Sequence, residues 1–268
     1  METKKRNIGS SIYMVLLFLF LYAPVVVLMV YSFNAAKSRG TWGGFSLKWY
    51  VELFEDSQLL SALYNTIAIA VLSAVIATII GTMAAIGIQA YRNKTVKAAI
   101  AMVTNIPVVS SELVTGVSLM ILFVAVHIPR GFFTLLLSHI TFNIPYVVLS
   151  VTPNLTQLNR DLYDAALDLG AKPLHAFRKV IFPELWPGII NGLLLSFTMS
   201  LDDFIISFFT TGNGVSNLSI YVYSMAKRGI NPKINALSTI MFVVVLLLLI
   251  LINKRSSRDK SKNVLLAG

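Results

Sequence analysis

The sequence predicts an all-α polytopic membrane protein with six transmembrane helices and one short cytoplasmic helix between the fourth and the fifth. Three observations predict it. Of 268 residues, 56% are apolar or aromatic and only 13% are charged, about half the charged share of a soluble domain. Such a chain has too few polar side chains to cover a water-soluble surface, and its mean hydropathy is +0.75. Six apolar runs, at 12–33, 60–90, 98–126, 132–151, 187–209 and 234–252, are each long enough to span, because about 20 helical residues cross roughly 30 Å of hydrocarbon. Finally, 15 of the 22 Lys and Arg fall at the N-terminus, at 91–97, at 152–186 and in the C-terminal tail. Basic loops stay on the cytoplasmic side, so both termini and the long 152–186 loop are expected there.

Taken in order, residues 1–10 are a basic cytoplasmic N-terminus. Lys4, Lys5 and Arg6 before the first run resemble a signal-peptide start, but the apolar core exceeds the usual 7–15 residues, which predicts a retained helix. The outside connection carries Trp42, Trp49 and Tyr50 beside Gly43 and Gly44, aromatic residues expected at headgroup depth. Pro107 and Ser110-Ser111-Glu112 interrupt the third run and predict a kink lining a cavity. Asn143 with Pro145 predicts a comparable break in the fourth, where His139 reads as a packed, hydrogen-bonded histidine. Acids in the third and fifth runs leave re-entrant segments as a competing reading for those two. The sixth run has no polar side chain from Met241 to Ile252. The six-helix domain thus covers 11–252, and the basic tail 253–268 is expected to hold no fold beyond Arg255.

Several functions are excluded or disfavoured by composition. The net charge of +10 lies between apolar runs, where it orients loops and attracts lipid headgroups, so no nucleic-acid partner is expected. Absence of Cys removes thiolate metal sites and a Cys nucleophile, and His127, His139 and His175 are too scattered for a His-rich metal site. No G-x-x-x-x-G-K-[ST] loop is present, so nucleotide hydrolysis belongs to another subunit if it powers this one. No enzymatic site, cofactor or metal is expected in this chain.

The long loop carries the most information. Leu162, Ala165, Ala166 and Leu169 recur at spacings of three and four and form one small apolar face. Asp161 and Asp164 favour the positive helix start, Gly170 suits a left-handed stop, and Pro173 blocks continuation. A second helical piece is expected from Leu174 to about Ile181, with Pro183 and Pro187 breaking the chain before the fifth span. The face can seat in a groove of another protein or pack on the ends of its own bundle. The run Asp164-Ala165-Ala166, Gly170, then Val180, Phe182 and Pro183 resembles the "EAA" loop of inner-membrane permeases of ATP-binding-cassette importers. Asp replaces Glu, Val replaces Ile and Phe replaces Leu, while the spacing is kept. The resemblance implies a coupling helix in which Asp164, Ala165, Ala166, Gly170 and Pro183 form or support the contact with a cytoplasmic ATPase. ATP and Mg would then be bound by that partner.

Glu112, Asp202 and Asp203 lie within expected spans that carry no central Lys or Arg. An acid facing lipid costs about 2.5–3.5 kcal/mol or more, so these acids are expected to face an interior or an aqueous path. They can stabilise a passing cation, carry protons, or cap a helix at a break. On a continuous fifth helix Asp203 shares a face with Gly192, Ser196, Met199, Ser207 and Thr210. That small, polar face makes it the stronger path candidate. Ser200-Leu201-Asp202-Asp203-Phe204-Ile205-Ile206-Ser207-Phe208-Phe209, Leu218 to Met225, Arg228-Gly229-Ile230-Asn231-Pro232 and Asn235 to Thr239 resemble permease subunits of spermidine/putrescine importers. That resemblance implies a second, homologous permease, two copies of the ATPase, an extracytoplasmic polyamine-binding protein, and inward transport by alternating access. An importer for another small substrate and a proton-coupled secondary transporter are the alternatives.

Overall fold

The computed structural model describes residues 8–37, 41–91, 93–158, 160–212, 214–228, 232–244 and 246. The N-terminal basic cluster, the basic tail 253–268 and the later part of the sixth expected span lie outside them. The regular structure among the described residues is helical, apart from one isolated bridge between Asn34 and Phe45. Helices α1 (Ile8–Ser32), α3 (Ser57–Ala90) and α6 (Phe132–Gln157) are long and apolar. So is the helical stretch Pro173–Asp202. It comprises α8 (Pro173–Ala176), a π turn (Phe177–Ile181) and α9 (Phe182–Asp202). The third expected span is the pair α4 (Lys94–Val109) and α5 (Glu112–Ala125), bent by 104° at Ser110–Ser111. Four described helices are therefore long enough to cross a membrane, or five if the bent pair counts as one span. A shorter apolar helix, α12 (Pro232–Val244), stands where the sixth begins. Short helices α2 (Lys48–Phe54), α7 (Arg160–Asp168), α10 (Ile205–Thr210) and α11 (Leu218–Lys227) complete the chain.

Two compact units divide it: Gln58–Tyr221, and Met1–Ser57 with Val222–Gly268. The larger unit is built on α6, which packs chiefly against α9. Its apolar core gathers Ala77, Ala85, Val147, Val148, Val151, Leu155, Leu185 and Ile189. Small residues bring the backbones together, as helix contacts in lipid require. A Cβ on Gly81 would lie 2.7 Å from the Cβ of Val147, and one on Gly188 would lie 2.9 Å from the carbonyl of Ser150. In the smaller unit, Asn34 organises the turn after α1. Its side chain donates to the Thr41 carbonyl at 2.9 Å and accepts from Gly43 N–H at 2.8 Å. The Trp49 indole donates to the Asn34 carbonyl at 2.7 Å. Trp49 is buried there as a structural anchor, whereas Trp42 is exposed.

The helices depart from expectation at prolines. No break follows Asn143-Pro145, because α6 continues past both Pro145 and Pro153. The buried Asn143 side chain bonds neighbouring helices instead. Nor do Pro183 and Pro187 break the chain, for Pro183 sits in the first turn of α9 and Pro187 within it. The missing Pro183 N–H falls where the π turn hands over to α9, and a π turn is one way a helix accommodates such an interruption without ending. The fifth expected span is not one helix. It ends at Asp202 and restarts at Ile205.

Candidate functional site

Two broken helices meet in the larger unit. Ser110 and Ser111 are both extended, with ψ of 151° and 145°, and the Ser111 hydroxyl accepts the N–H of Val114 to start α5. Glu112 is thereby the first residue of α5, exposed at the bend, where a carboxylate also suits the positive helix end. The second break lies at Asp203 and Phe204. Helix α10 packs chiefly on α5, and Gly116 permits this, since its missing Cβ would stand 3.3 Å from the Cα of Ile206. This contact brings Glu112 within electrostatic range of Asp202, Asp203 and Tyr146.

The three acids are not equivalent. Asp202 ends α9 and is exposed, whereas Asp203 is buried. Asp203 accepts the N–H groups of Ile206 at 3.1 Å and Ser207 at 2.8 Å, and the Ser207 hydroxyl at 2.7 Å. The face expected to line a path with it does not run through one continuous helix, and its Gly192, Ser196, Ser207 and Thr210 are all buried within the bundle. Asp203 therefore closes the gap between α9 and α10, while Glu112 and Asp202 present open carboxylates.

Behind this gap lies a polar cluster that sequence reasoning did not assemble. His139 on α6 places Nδ1 3.1 Å from Ser200 Oγ and Nε2 3.0 Å from Ser207 Oγ. Asn143 donates to Ser200 at 2.8 Å, Ser73 pairs with Ser200 at 2.9 Å, and Asn217 donates to Ser207 at 2.7 Å. All but Asn217 are polar residues inside apolar runs, and that was the available signal. Their convergence from 73, 139, 143, 200, 207 and 217 was not, because no local spacing connects those positions.

Helix α7 has the expected stop. Gly170 takes φ of +84°. Its N–H bonds the Leu167 carbonyl at 2.9 Å and that of Ala171 the Ala166 carbonyl at 3.1 Å, the paired bonds of a left-handed helix end. Ala165 is exposed and Ala166 half-buried. Leu162, Leu169 and Leu174 are 56%, 90% and 79% exposed, an apolar surface of the kind that marks a protein contact. Asp164 and Tyr163 instead line a cleft of about 420 Å³ with Gln89, Leu155 and Phe177. Pro183 is exposed at the start of α9.

A helical bundle of membrane-length helices, two of them interrupted, with an exposed apolar helix beside it is an architecture that membrane-spanning transport components use. Residues 77–256 match the family described as "Binding-protein-dependent transport system inner membrane component", and the chain belongs to that family. It is accordingly a multi-pass, non-catalytic membrane component of an ABC transporter. It is 39% identical over 234 residues to the putrescine transport system permease protein PotI of Escherichia coli (strain K12), covering 85% of this chain and 83% of that one. It is 38% identical over 250 residues to the spermidine/putrescine transport system permease protein PotC of the same strain, covering 93% and 94%. Among solved structures, a bacterial ABC transporter that imports the acidic polysaccharide alginate matches with a TM-score of 0.71 at 18% identity, covering 94% of each chain. The MetNI methionine ABC transporter matches at 0.60 and 19%, covering 75% of this chain and 95% of that one. At such identities the structures speak for the fold alone.

Proposed function

We propose that this chain is a permease subunit of an ATP-driven importer that moves polyamines, spermidine or putrescine, inward by alternating access. The observation that carries this reading is the 38–39% identity to permeases bearing those substrate names, over 83–94% of their length. In this reading the protein has six spans with both termini cytoplasmic. It pairs with a homologous second permease above two copies of an ATPase, which bind the ATP and Mg, and it receives substrate from an extracytoplasmic binding protein. Helix α7 seats in the ATPase through Ala165, Ala166 and the exposed leucines, with Asp164, Gly170 and Pro183 holding its shape. Nucleotide-driven closure of the ATPases then moves α7 and the attached α9.

Glu112, Asp202 and Asp203 form the cation path. A polyamine carries separated ammonium groups, and open carboxylates at two neighbouring breaks can replace part of its hydration one group at a time. Attraction at each must stay modest for release to follow. The test is uptake of labelled putrescine and spermidine by proteoliposomes holding the complete complex, binding protein outside and ATP inside. ATP-dependent accumulation of either amine is expected. Uptake that needs a proton gradient and no ATPase would overturn the reading, as would accumulation of neither amine by a complex that still hydrolyses ATP.

A further inference from the structure

We propose that His139 is a positioning residue of the path: its Nε2–H holds Ser207 while its Nδ1 holds Ser200, so that one ring clamps both sides of the α9–α10 gap. This rests on the cation path proposed above. Ser200 lies three residues before Asp203 and Ser207 four after it, and the ring that joins them is 1% exposed.

Proton counting fixes which ring nitrogen donates. The Ser207 hydroxyl has one proton, and it goes to Asp203 Oδ2 at 2.7 Å. The Asn217 amide donates to the same oxygen of Ser207 at 2.7 Å. Ser207 Oγ therefore has only acceptor capacity left for the ring, and His139 Nε2 must carry a hydrogen. Asp203 Oδ2 stands 3.6 Å from that nitrogen, beyond direct hydrogen bonding, so the ring reaches the carboxylate through Ser207. Nδ1 meets Ser200 Oγ, which Asn143 of the same helix and Ser73 of α3 also hold. The last turn of α9 and the first of α10 are thus tied to α6 at one point. The helix stops between them, so side chains make this tie. Asp202, exposed on the rim of the gap, stands where the clamp leaves it.

The absence of Cys makes the geometry directly readable. In the complete complex, Asp202→Cys is labelled by a soluble thiol reagent without substrate, with Leu169→Cys on the exposed cytoplasmic helix as reference in inside-out vesicles. His139→Leu removes both ring contacts at similar bulk, while His139→Gln keeps an N–H donor at comparable reach. Loss of a buried hydrogen-bond partner predicts about a tenfold change in the labelling rate at 202 for His139→Leu and less than about twofold for His139→Gln. The rate at 169 is expected to hold. Initial putrescine uptake, measured with Asp202 intact, is expected to follow the same order. Ser207→Ala should change labelling in the same direction, and the double variant with His139→Leu should fall short of the sum of the two, since both remove the shared His139–Ser207 link. Unchanged labelling at 202, equal changes at 202 and 169, or additive effects of the two substitutions would overturn the clamp. Because labelling needs no polyamine, a complex that transports neither amine but keeps the labelling contrast would refute the substrate reading and leave the clamp standing.

Discussion

Asp202 and Asp203 are neighbours with opposite surroundings, and their amide variants separate a path role from a structural one. Asp202→Asn removes an exposed charge and leaves no donor unpaired, so polyamine uptake is expected to fall several-fold with the thermal stability of the complex unchanged. Glu112→Gln is expected to behave likewise. Asp203→Asn differs, because both carboxylate oxygens accept hydrogen bonds. An amide there turns an NH2 group toward N–H or O–H donors, which costs about 1–3 kcal/mol. Lower uptake is therefore expected together with a lower unfolding temperature in detergent. A variant with reduced uptake and full stability would make Asp203 a path residue alone, like its neighbour.

At the scale of an element, the stop of α7 is a backbone requirement with free space around it. A Cβ on Gly170 would meet nothing within 4 Å, so only the positive φ resists substitution. Gly170→Val should cost about 1–2 kcal/mol locally and shift the helix end. Gly170→Asn, which tolerates that conformation, should do much less. Substrate-stimulated ATP hydrolysis and uptake are expected to fall together in the Val variant and to be largely kept in the Asn variant, both compared at equal assembly. Equal defects in both would mean that the glycine matters by some means other than its conformation. Gly81 presents the reverse case, an ordinary helical backbone with no room. Gly81→Ala must displace Val147, and overpacking of this kind costs about 1–3 kcal/mol. Val147→Ala in the same chain is expected to restore part of the lost thermal stability, and simple additivity would show that the two side chains do not compete for one space.

The basic loops predict the orientation of the whole molecule. A single cysteine at 164 should resist an impermeant maleimide added to intact cells and react once the membrane is opened, whereas one at 45 should react from outside. Phe45 is 72% exposed, which makes it a fair reference. Labelling of 164 from outside would invert the topology. With it would go the seating of α7 on a cytoplasmic ATPase, since Ala165 and Leu169 would then face the wrong compartment.

Composition, hydropathy and the spacing from Asp164 to Pro183 determined, without any structure, that this is a helical membrane component with a short loop helix ending at Gly170. These are local or additive properties. An apolar run is an apolar run wherever it packs, and a left-handed stop is decided within a few residues. Breaks were only half legible. Ser110-Ser111 announced the bend after α4 because the helix start is capped locally, but Pro145, Pro183 and Pro187 announced breaks that neighbouring turns absorbed. The gap at Asp203 had no sequence marker beyond the acid itself. Tertiary structure alone decided which of two adjacent aspartates faces outward. It alone brought His139, Ser200 and Ser207 together, for a buried polar side chain must find its partner in space, and its partners here lie 61 and 68 residues away.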